Sequence, residues 1–270
     1  MDNYIYTICN DAQEAIYTEY DKADGDNCGH LTIDFPCHDI KTYCRENDVS
    51  EKVLLHSAFS YVLNTIFREE ILLYVTADER AYSGYYPMLA CYTGNVPVKD
   101  HINGVKSRLE LLTENNQSLL KKSMEKAGIS GDISFSFYSD PHIPGRLTNY
   151  CNDLKMNVSI NIVSCIKKDS IIFSCVYDGI KYGHVTIEKL LYAFKNAVLT
   201  MTSAEKLSEV SLVSEEEKKE LIELSAGEKY DYDRNEIWLD LFKKNVTLYG
   251  DKNAVTDSNG SYTYKELDEG

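Results

Sequence analysis

Two periodicities run through this chain, and the first clear one begins at Leu31. A short apolar run ends at Phe35, a proline follows, and Asp39 to Glu46 reads as a helix closed by a turn at Asn47-Asp48-Val49. Ser50 is placed to cap the next helix. Val53, Leu54, Ala58, Phe59, Val62, Leu63, Ile66 and Phe67 then fall in adjacent pairs four or five residues apart, which draws one apolar stripe down a helix of about five turns. Ile71 to Thr76 is continuous, apolar and too short for a helix, so it reads as a strand buried on both faces. Cys91 to Val98 suggests a further extended segment. Val105, Leu109, Leu112, Leu119, Leu120 and Met124 recur at helical spacing up to Gly128, a C-terminal stop.

The rhythm then shifts to two. Ile133, Phe135 and Phe137 alternate with Ser134, Ser136 and Tyr138, as expected of a half-exposed strand. An irregular stretch with Pro141, Pro144 and Gly145 follows. Val158 to Ile162, the polar turn Lys167-Lys168-Asp169 and the run Ile171 to Tyr177 read as an antiparallel hairpin. Thr186 opens a helix carrying Ile187, Leu190, Leu191, Phe194, Ala197 and Val198, and an α/β domain closes near Thr202. Ser214 and Glu215 to Glu217 have the cap and first-turn acids of a helix that Gly227 stops. Tyr230 to Arg234 reads as linker, Ile237 to Val246 as a short helix around Trp238, and Ala254 to Tyr264 as a hairpin turning at Asn259-Gly260. The first thirty residues show no clean period.

Charge narrows the partners. With 28 basic and 43 acidic residues the chain carries −15, a poor match to a phosphate backbone, and its basic runs are only pairs such as Lys121-Lys122. No apolar run approaches the roughly 20 residues of a membrane span, and the polar start lacks a signal-peptide core. A soluble, cytoplasmic protein with neither nucleic acid nor membrane as partner is expected. Eight cysteines are scattered without a CxxC pair, as reduced thiols are. Cys28, His30, Cys37, His38 and Cys44 lie close in sequence, but the short knuckle of a zinc site is missing, so no metal is expected.

The ordered series Ser211-Leu212-Val213-Ser214, Glu215-Glu216-Glu217, Leu241-Phe242, Ala254-Val255 and Tyr262-Thr263-Tyr264-Lys265-Glu266-Leu267 resembles the junction between a condensation domain and an adenylation domain in a nonribosomal peptide synthetase. In the last of these, Tyr262, Thr263, Tyr264, Glu266 and Leu267 are similar to the first adenylation core motif. Upstream, Val49 to Phe67 resembles the long helix in the C-terminal half of condensation domains. Val75 to Arg80 resembles its following strand, and Leu89 to Lys99 its GxFVNTLPLR segment. Met156 to Ile160 sits where many members have a phenylalanine, an aspartate and an apolar strand. The resemblance spans about residues 31 to 270. It implies a chloramphenicol-acetyltransferase-like α/β lobe, a mixed sheet covered by helices, over residues 1–212. An interdomain linker over 213–235 and the incomplete start of an adenylation domain over 236–270 would follow.

Departures from the family bear on activity. Members that form peptide bonds carry HHxxxDG, and no two of the six histidines here are adjacent. Asp178-Gly179 supplies a DG pair, but Ser174-Cys175 stands near the place of the histidines. Ala90, Tyr92 and Gly94 replace the glycine, phenylalanine and asparagine of GxFVNT, while Asn95, Pro97 and Lys99 remain compatible. HQDxPFE and RDxSRNPL are not recognisable, and the ATP-binding loop is missing. The resemblance thus implies a half condensation domain without catalytic residues. Such a lobe would scaffold the adenylation domain and touch a peptidyl carrier domain whose phosphopantetheine, not a cofactor bound here, carries the substrate. Two rival readings are acyl transfer once an N-terminal lobe with HHxxxDG is supplied, and a free-standing binding protein.

Arg80, Tyr92, Asn95 and Asn157 are the candidates for the lobe interface or substrate channel. Arg80 follows a buried strand and can pair with Asp78, Glu79 or a carboxylate across the lobe. Tyr92 and Asn95 are ordinary strand polar groups unless the family alignment holds. His56 lies off the apolar stripe and is expected at a surface or boundary. His184 belongs to a helix start, and His101 and His142 lie in loop-like text.

Overall fold

The computed structural model describes residues 2–16, 28–77, 85–112, 114–129, 131–139, 158–227, 237–258 and 260–270. The chain divides into two units, Met1–Glu215 and Glu216–Gly270.

In chain order the first unit contains α1 (Asp2–Asn10), β1 (Gln13–Glu14), β2 (Gly29–Pro36), α2 (His38–Asn47), α3 (Glu51–Phe67), β3 (Ile71–Ala77), β4 (Tyr85–Cys91) and α4 (Val98–Glu110). There follow α5 (Glu114–Ala127), β5 (Ile133–Tyr138), β6 (Ile160–Lys167), β7 (Ser170–Tyr177), α6 (His184–Met201) and the start of α7 (Glu215–Ala226). The seven strands form one mixed sheet in the order β1-β3-β5-β6-β7-β2, with β4 also paired to β3. The pairs β1–β3, β3–β5 and β5–β6 are parallel, and the pairs β3–β4, β6–β7 and β7–β2 are antiparallel.

Strand alternation sends successive residues to opposite sheet faces, and here both faces are occupied. Leu72 and Tyr74 of β3 join the larger core with residues of α3, α4 and α6, whereas Leu73 and Val75 join a smaller core with Tyr4 and Ile8 of α1 and Leu120 and Met124 of α5. The continuous apolar reading of Ile71 to Thr76 therefore has a direct cause. At the centre of the larger core the ring of Phe194 lies 5.1 Å from Phe59, 5.0 Å from Phe135 and 4.3 Å from Phe173.

Local signals hold where backbone chemistry decides. Ser50 caps α3 by accepting the Val53 N–H at 3.3 Å. Asp48 ends α2 in the left-handed region at φ 53°, and Gly128 stops α5 at φ 69°.

Several expectations need correction. Residues 105–124 are not one helix: the chain turns at Leu111-Leu112, and α4 and α5 serve different cores. β5 is not half-exposed, because Ser134 and Ser136 are buried too. Their hydroxyls are used, Ser134 Oγ donating to Asn161 Oδ1 at 2.6 Å and Ser136 Oγ accepting the Ala77 N–H at 2.8 Å. The strand near residue 91 precedes Cys91 instead of following it, and the unassigned N-terminus contains α1. The helix after the hairpin begins at His184, two residues before Thr186.

The second unit contains most of α7, with α8 (Trp238–Tyr249), the antiparallel pair β8 (Asn253–Asp257) and β9 (Gly260–Thr263), and α9 (Tyr264–Glu269). Phe242 of α8 faces Trp238 and Tyr264 at ring separations of 6.4 and 6.1 Å. None of these three helices buries a residue fully.

Candidate functional site

The C-terminal end of α3 builds a concavity. Arg68 takes the left-handed C-cap at φ 57°, its N–H donating to Asn64 O at 2.9 Å, and so turns the chain sharply into β3. The Asn64 side chain braces that turn: Nδ2 donates to Glu69 O at 3.0 Å and to Ala90 O at 3.2 Å, tying the helix end to β4. The Tyr92 N–H donates to Glu70 O at 2.7 Å and carries the β3–β4 pairing one step further. Val96 O accepts from Leu207 N at 3.1 Å, and Glu205 O accepts from Val98 N at 2.9 Å, which brings the exit of the lobe beside the same turn.

The resulting cavity, about 470 Å³, is lined by Tyr61, Asn64, Arg68, Glu70, Tyr92 and Asn95 among others. Two of the four residues singled out for the lobe interface, Tyr92 and Asn95, thus share one wall with neighbours that no local pattern announces. Arg80 and Asn157 lie outside the described residues. Tyr61 donates its hydroxyl to Val210 O at 3.1 Å, and burial pushes its phenol up from the ordinary value. The cavity combines one cation, two exposed acids and two phenols, a polar recess without a recognisable nucleophile and base. Replacing Asn64 by alanine removes both braces from a buried position. A loss of about 1–3 kcal/mol is expected in chemical denaturation, whereas no measurable loss would mean the turn holds without it.

The DG pair serves local structure. Asp178 Oδ1 accepts the Ile180 N–H at 3.0 Å, while the Asp178 N–H donates to Ser159 O at 2.9 Å. Nearby, Asp132 accepts from Ser159 Oγ and Tyr182 Oη and faces Lys181 Nζ at 3.6 Å, and Glu14 Oε1 accepts the N–H groups of Gly131 and Asp132 at 2.6 and 2.9 Å. This is a knot that fixes the ends of β5 and β6.

The histidines correct the reading of the sequence. His56 is fully buried, not at a boundary; its Nδ1 lies 2.8 Å from Tyr74 Oη and its ring 4.7 Å from Phe135. Burial, helped by the charge of Lys52, drives it down to about 3, so it stays neutral. His101 lies within α4 and not in a loop; its Nε2 is 3.0 Å from Ser57 O, and burial lowers its basicity as well. His142 is outside the described residues. Sequence reasoning missed the approach of His30 Nε2 to Ser174 Oγ, 3.0 Å apart, because 144 positions separate them. Only the antiparallel register of β2 with β7, which places Thr32 opposite Ser174, reveals it. No described carboxylate contacts that imidazole, so the pair lacks the third member that would orient a base.

Of the cysteine and histidine cluster, Cys37 and Cys44 are buried and Cys28 is exposed. Burial first, then Glu51, pushes the Cys44 thiol up to about 12, away from the thiolate a metal would need. Among the described residues no three His, Cys, Asp or Glu side chains could hold a metal ion together. No described helix is long and apolar enough to cross a membrane.

In the second unit the motif residues occupy β9 and the start of α9. Thr263 Oγ1 accepts the Glu266 N–H at 3.2 Å and the Glu266 carboxylate accepts the Thr263 N–H at 2.8 Å, a reciprocal cap. The bonds that the Thr263 N–H and hydroxyl donate to it hold the Glu266 carboxyl below its ordinary value. Tyr264 meets Phe242, while Tyr262 and Leu267 are exposed.

No protein-family model matches this sequence, and no curated protein does. Solved structures do share its fold. The four-domain nonribosomal peptide synthetase holo-AB3403, bound to AMP and glycine, aligns with 98% of this chain and 24% of its own at a TM-score of 0.68 and 11% identity. The nonribosomal peptide synthetase FmoA3 in its AMPPNP-bound form aligns with 98% of this chain and 32% of its own, at 0.65 and 12%. The first condensation domain of the CDA synthetase aligns with 78% of this chain and 52% of its own, at 0.56 and 10%. The fold is therefore condensation-domain-like: a mixed sheet covered by helices, of the chloramphenicol-acetyltransferase type. This chain spans about a third or less of the synthetase chains it resembles.

Proposed function

We propose that these residues act as a non-catalytic half condensation domain of a nonribosomal peptide synthetase, scaffolding the adenylation domain that follows it and contacting a peptidyl carrier domain. The observation that carries this reading is the single sheet formed by the described residues of the first unit, set against an alignment that covers 52% of a solved condensation domain. A two-lobed cleft needs a second sheet to form its other wall.

Two further features support it. The alignment to single domains takes in 75% to 79% of this chain, but the alignment to multidomain synthetases takes in 98% and so reaches into the second unit. The chemistry agrees as well: His56 and His101 are buried and bonded within the lobe, unavailable as bases toward a carrier-bound thioester. The tie of Val96 and Val98 to Leu207 and Glu205, with Asn196 Nδ2 donating to Leu212 O at 3.1 Å, clamps the exit segment onto the lobe as a scaffold requires. A net charge of −15 argues for a weak contact with an acidic carrier domain.

The test is a condensation assay of the purified chain with an acyl-loaded donor carrier and an aminoacyl-loaded acceptor carrier, read by mass spectrometry of the acceptor. No peptide above the protein-free control is expected. Turnover by the chain alone overturns the reading, and turnover only after an N-terminal lobe bearing HHxxxDG is added favours the acyl-transfer alternative.

A further inference from the structure

β2 ends the sheet, and among the described residues no strand pairs with its outer side. Which backbone groups face outward follows from the register. The Cys37 N–H donates to Asp169 O at 2.9 Å, continuing the unbroken pairing that ends at Pro36↔Ser170. Antiparallel ladders alternate bonded and non-bonded pairs, so the odd-numbered residues of β2 bond to β7. On the far side of β7, Asp178 N donates to Ser159 O, which places the even-numbered residues of that strand toward β6 and agrees with the same phase. His30, Thr32 and Asp34 therefore turn their N–H and C=O groups away from the sheet, and their side chains are exposed as well.

An eight-residue open edge recruits other strands unless something blocks it. The usual block is a row of like charges, and β2 does not have one. Its central residues, His30-Leu31-Thr32-Ile33-Asp34, are instead complementary to themselves about Thr32, like with like at Leu31/Ile33 and donor with acceptor at His30/Asp34. Antiparallel pairing with an identical strand across a two-fold axis at Thr32 sets His30 opposite Asp34 of the copy, twice by symmetry, and Thr32 opposite itself. Leu31 then faces Ile33; both are already packed against the larger core and only partly buried. Each of the three outward pairs can exchange both of its backbone bonds.

Other registers are poorer. A slip by one residue would turn the helix-covered face of the copy to the opposite side of the sheet. A slip by two sets His30 against either Thr32 or Pro36, which loses the imidazole–carboxylate hydrogen bond and, with proline, an N–H donor.

We infer that β2 is a self-association edge, through which a second copy of this chain extends the sheet antiparallel about Thr32, with His30 and Asp34 paired across the interface. The inference is independent of the synthetase reading, since it rests on strand phase and sequence order alone.

Sedimentation velocity on the full chain tests it, at about 0.15 M salt so that the repulsion between two acidic copies is screened. A concentration-dependent monomer–dimer equilibrium is expected. His30→Glu sets like charges opposite each other, and Asp34→Lys removes the carboxylate that accepts from the imidazole; each weakens association roughly tenfold through its two symmetric pairs. The double variant H30E/D34K places Glu opposite Lys and recovers association to near the original strength, with circular dichroism confirming that all three remain folded. A chain that stays monomeric up to its solubility limit, a dimer indifferent to both single changes, or a double variant no better than the singles overturns the proposal.

Discussion

Phe194→Ala is expected to cost the first unit about 3–5 kcal/mol in urea denaturation, the range for removing a large aromatic side chain from a closed core. Phe194 is completely buried, and its ring meets Phe59, Phe135 and Phe173, which come from α3, β5 and β7. Three elements distant in sequence would lose a shared partner, and rings already packed against one another have little room to collapse into the gap. For a unit of this size the loss lowers Tm by roughly ten degrees. Tyr192→Ala on the same helix is the control, because Tyr192 is exposed and its expected effect is within about 0.5 kcal/mol. The reading should come from far-UV circular dichroism, since the single tryptophan, Trp238, lies exposed in the second unit. A Phe194→Ala loss under about 1 kcal/mol would mean the aromatic cluster is not the centre of the core.

Acid should destabilise the lobe through His56. Burial holds its folded-state value down to about 3, against an ordinary value of 6.5. Above about pH 6.5 the imidazole is neutral in both the folded and unfolded chain, and it contributes no pH dependence. Between that point and about pH 3 the unfolded chain binds the proton and the folded one does not, so stability falls as pH falls. The slope from this single group approaches about 1.4 kcal/mol per pH unit in the middle of the window. Below about 3 both states are protonated and the contribution levels off. His56→Gln keeps a side chain able to bond Tyr74 but removes the titration. The difference in denaturation free energy between the two proteins, measured from pH 7 to pH 4, should therefore shrink or reverse as the pH drops. A constant difference across that range would place His56 in contact with water, contrary to its burial.

The same histidine shows what a one-dimensional pattern misses. His56 stands off the stripe drawn by Leu54, Ala58 and Leu63, and a helix with one core on one side would have left it in solvent. α3 is instead buried almost all round, from Val53 to Asn64, because β3, α4 and α6 enclose it. Periodicity reports a boundary between core and water, and in a helix without that boundary the apolar stripe marks only part of the buried surface. The serines of β5 have the same explanation, since alternation suggested an exposed face that lies in contact with neighbouring strands. Where the backbone itself chooses, the reading succeeded: Ser50 as a cap, Asp48 and Gly128 as stops, and the polar turn at Lys168, whose φ of 57° closes the β6–β7 hairpin.

Of the candidate site, Tyr92 and Asn95 were legible as polar residues just beyond a strand, but the recess they line was not. Its other walls come from the end of α3 and from Leu207, more than a hundred residues further on, and nothing in either segment names the other. The adenylation-like motif was legible as a string, and the structure supplies the reason for its Thr-to-Glu spacing, a reciprocal helix cap.

By itself the amino-acid order determined the α/β character, the helices and strands with strong local signals, and the missing histidine pair, because each depends on neighbours within a few residues. Tertiary structure alone decided which faces are buried, that His30 meets Ser174, and that among the described residues no strand pairs with the outer side of β2. Those outcomes depend on strand order and register, which are set when the whole sheet lowers its free energy together and not by any single segment.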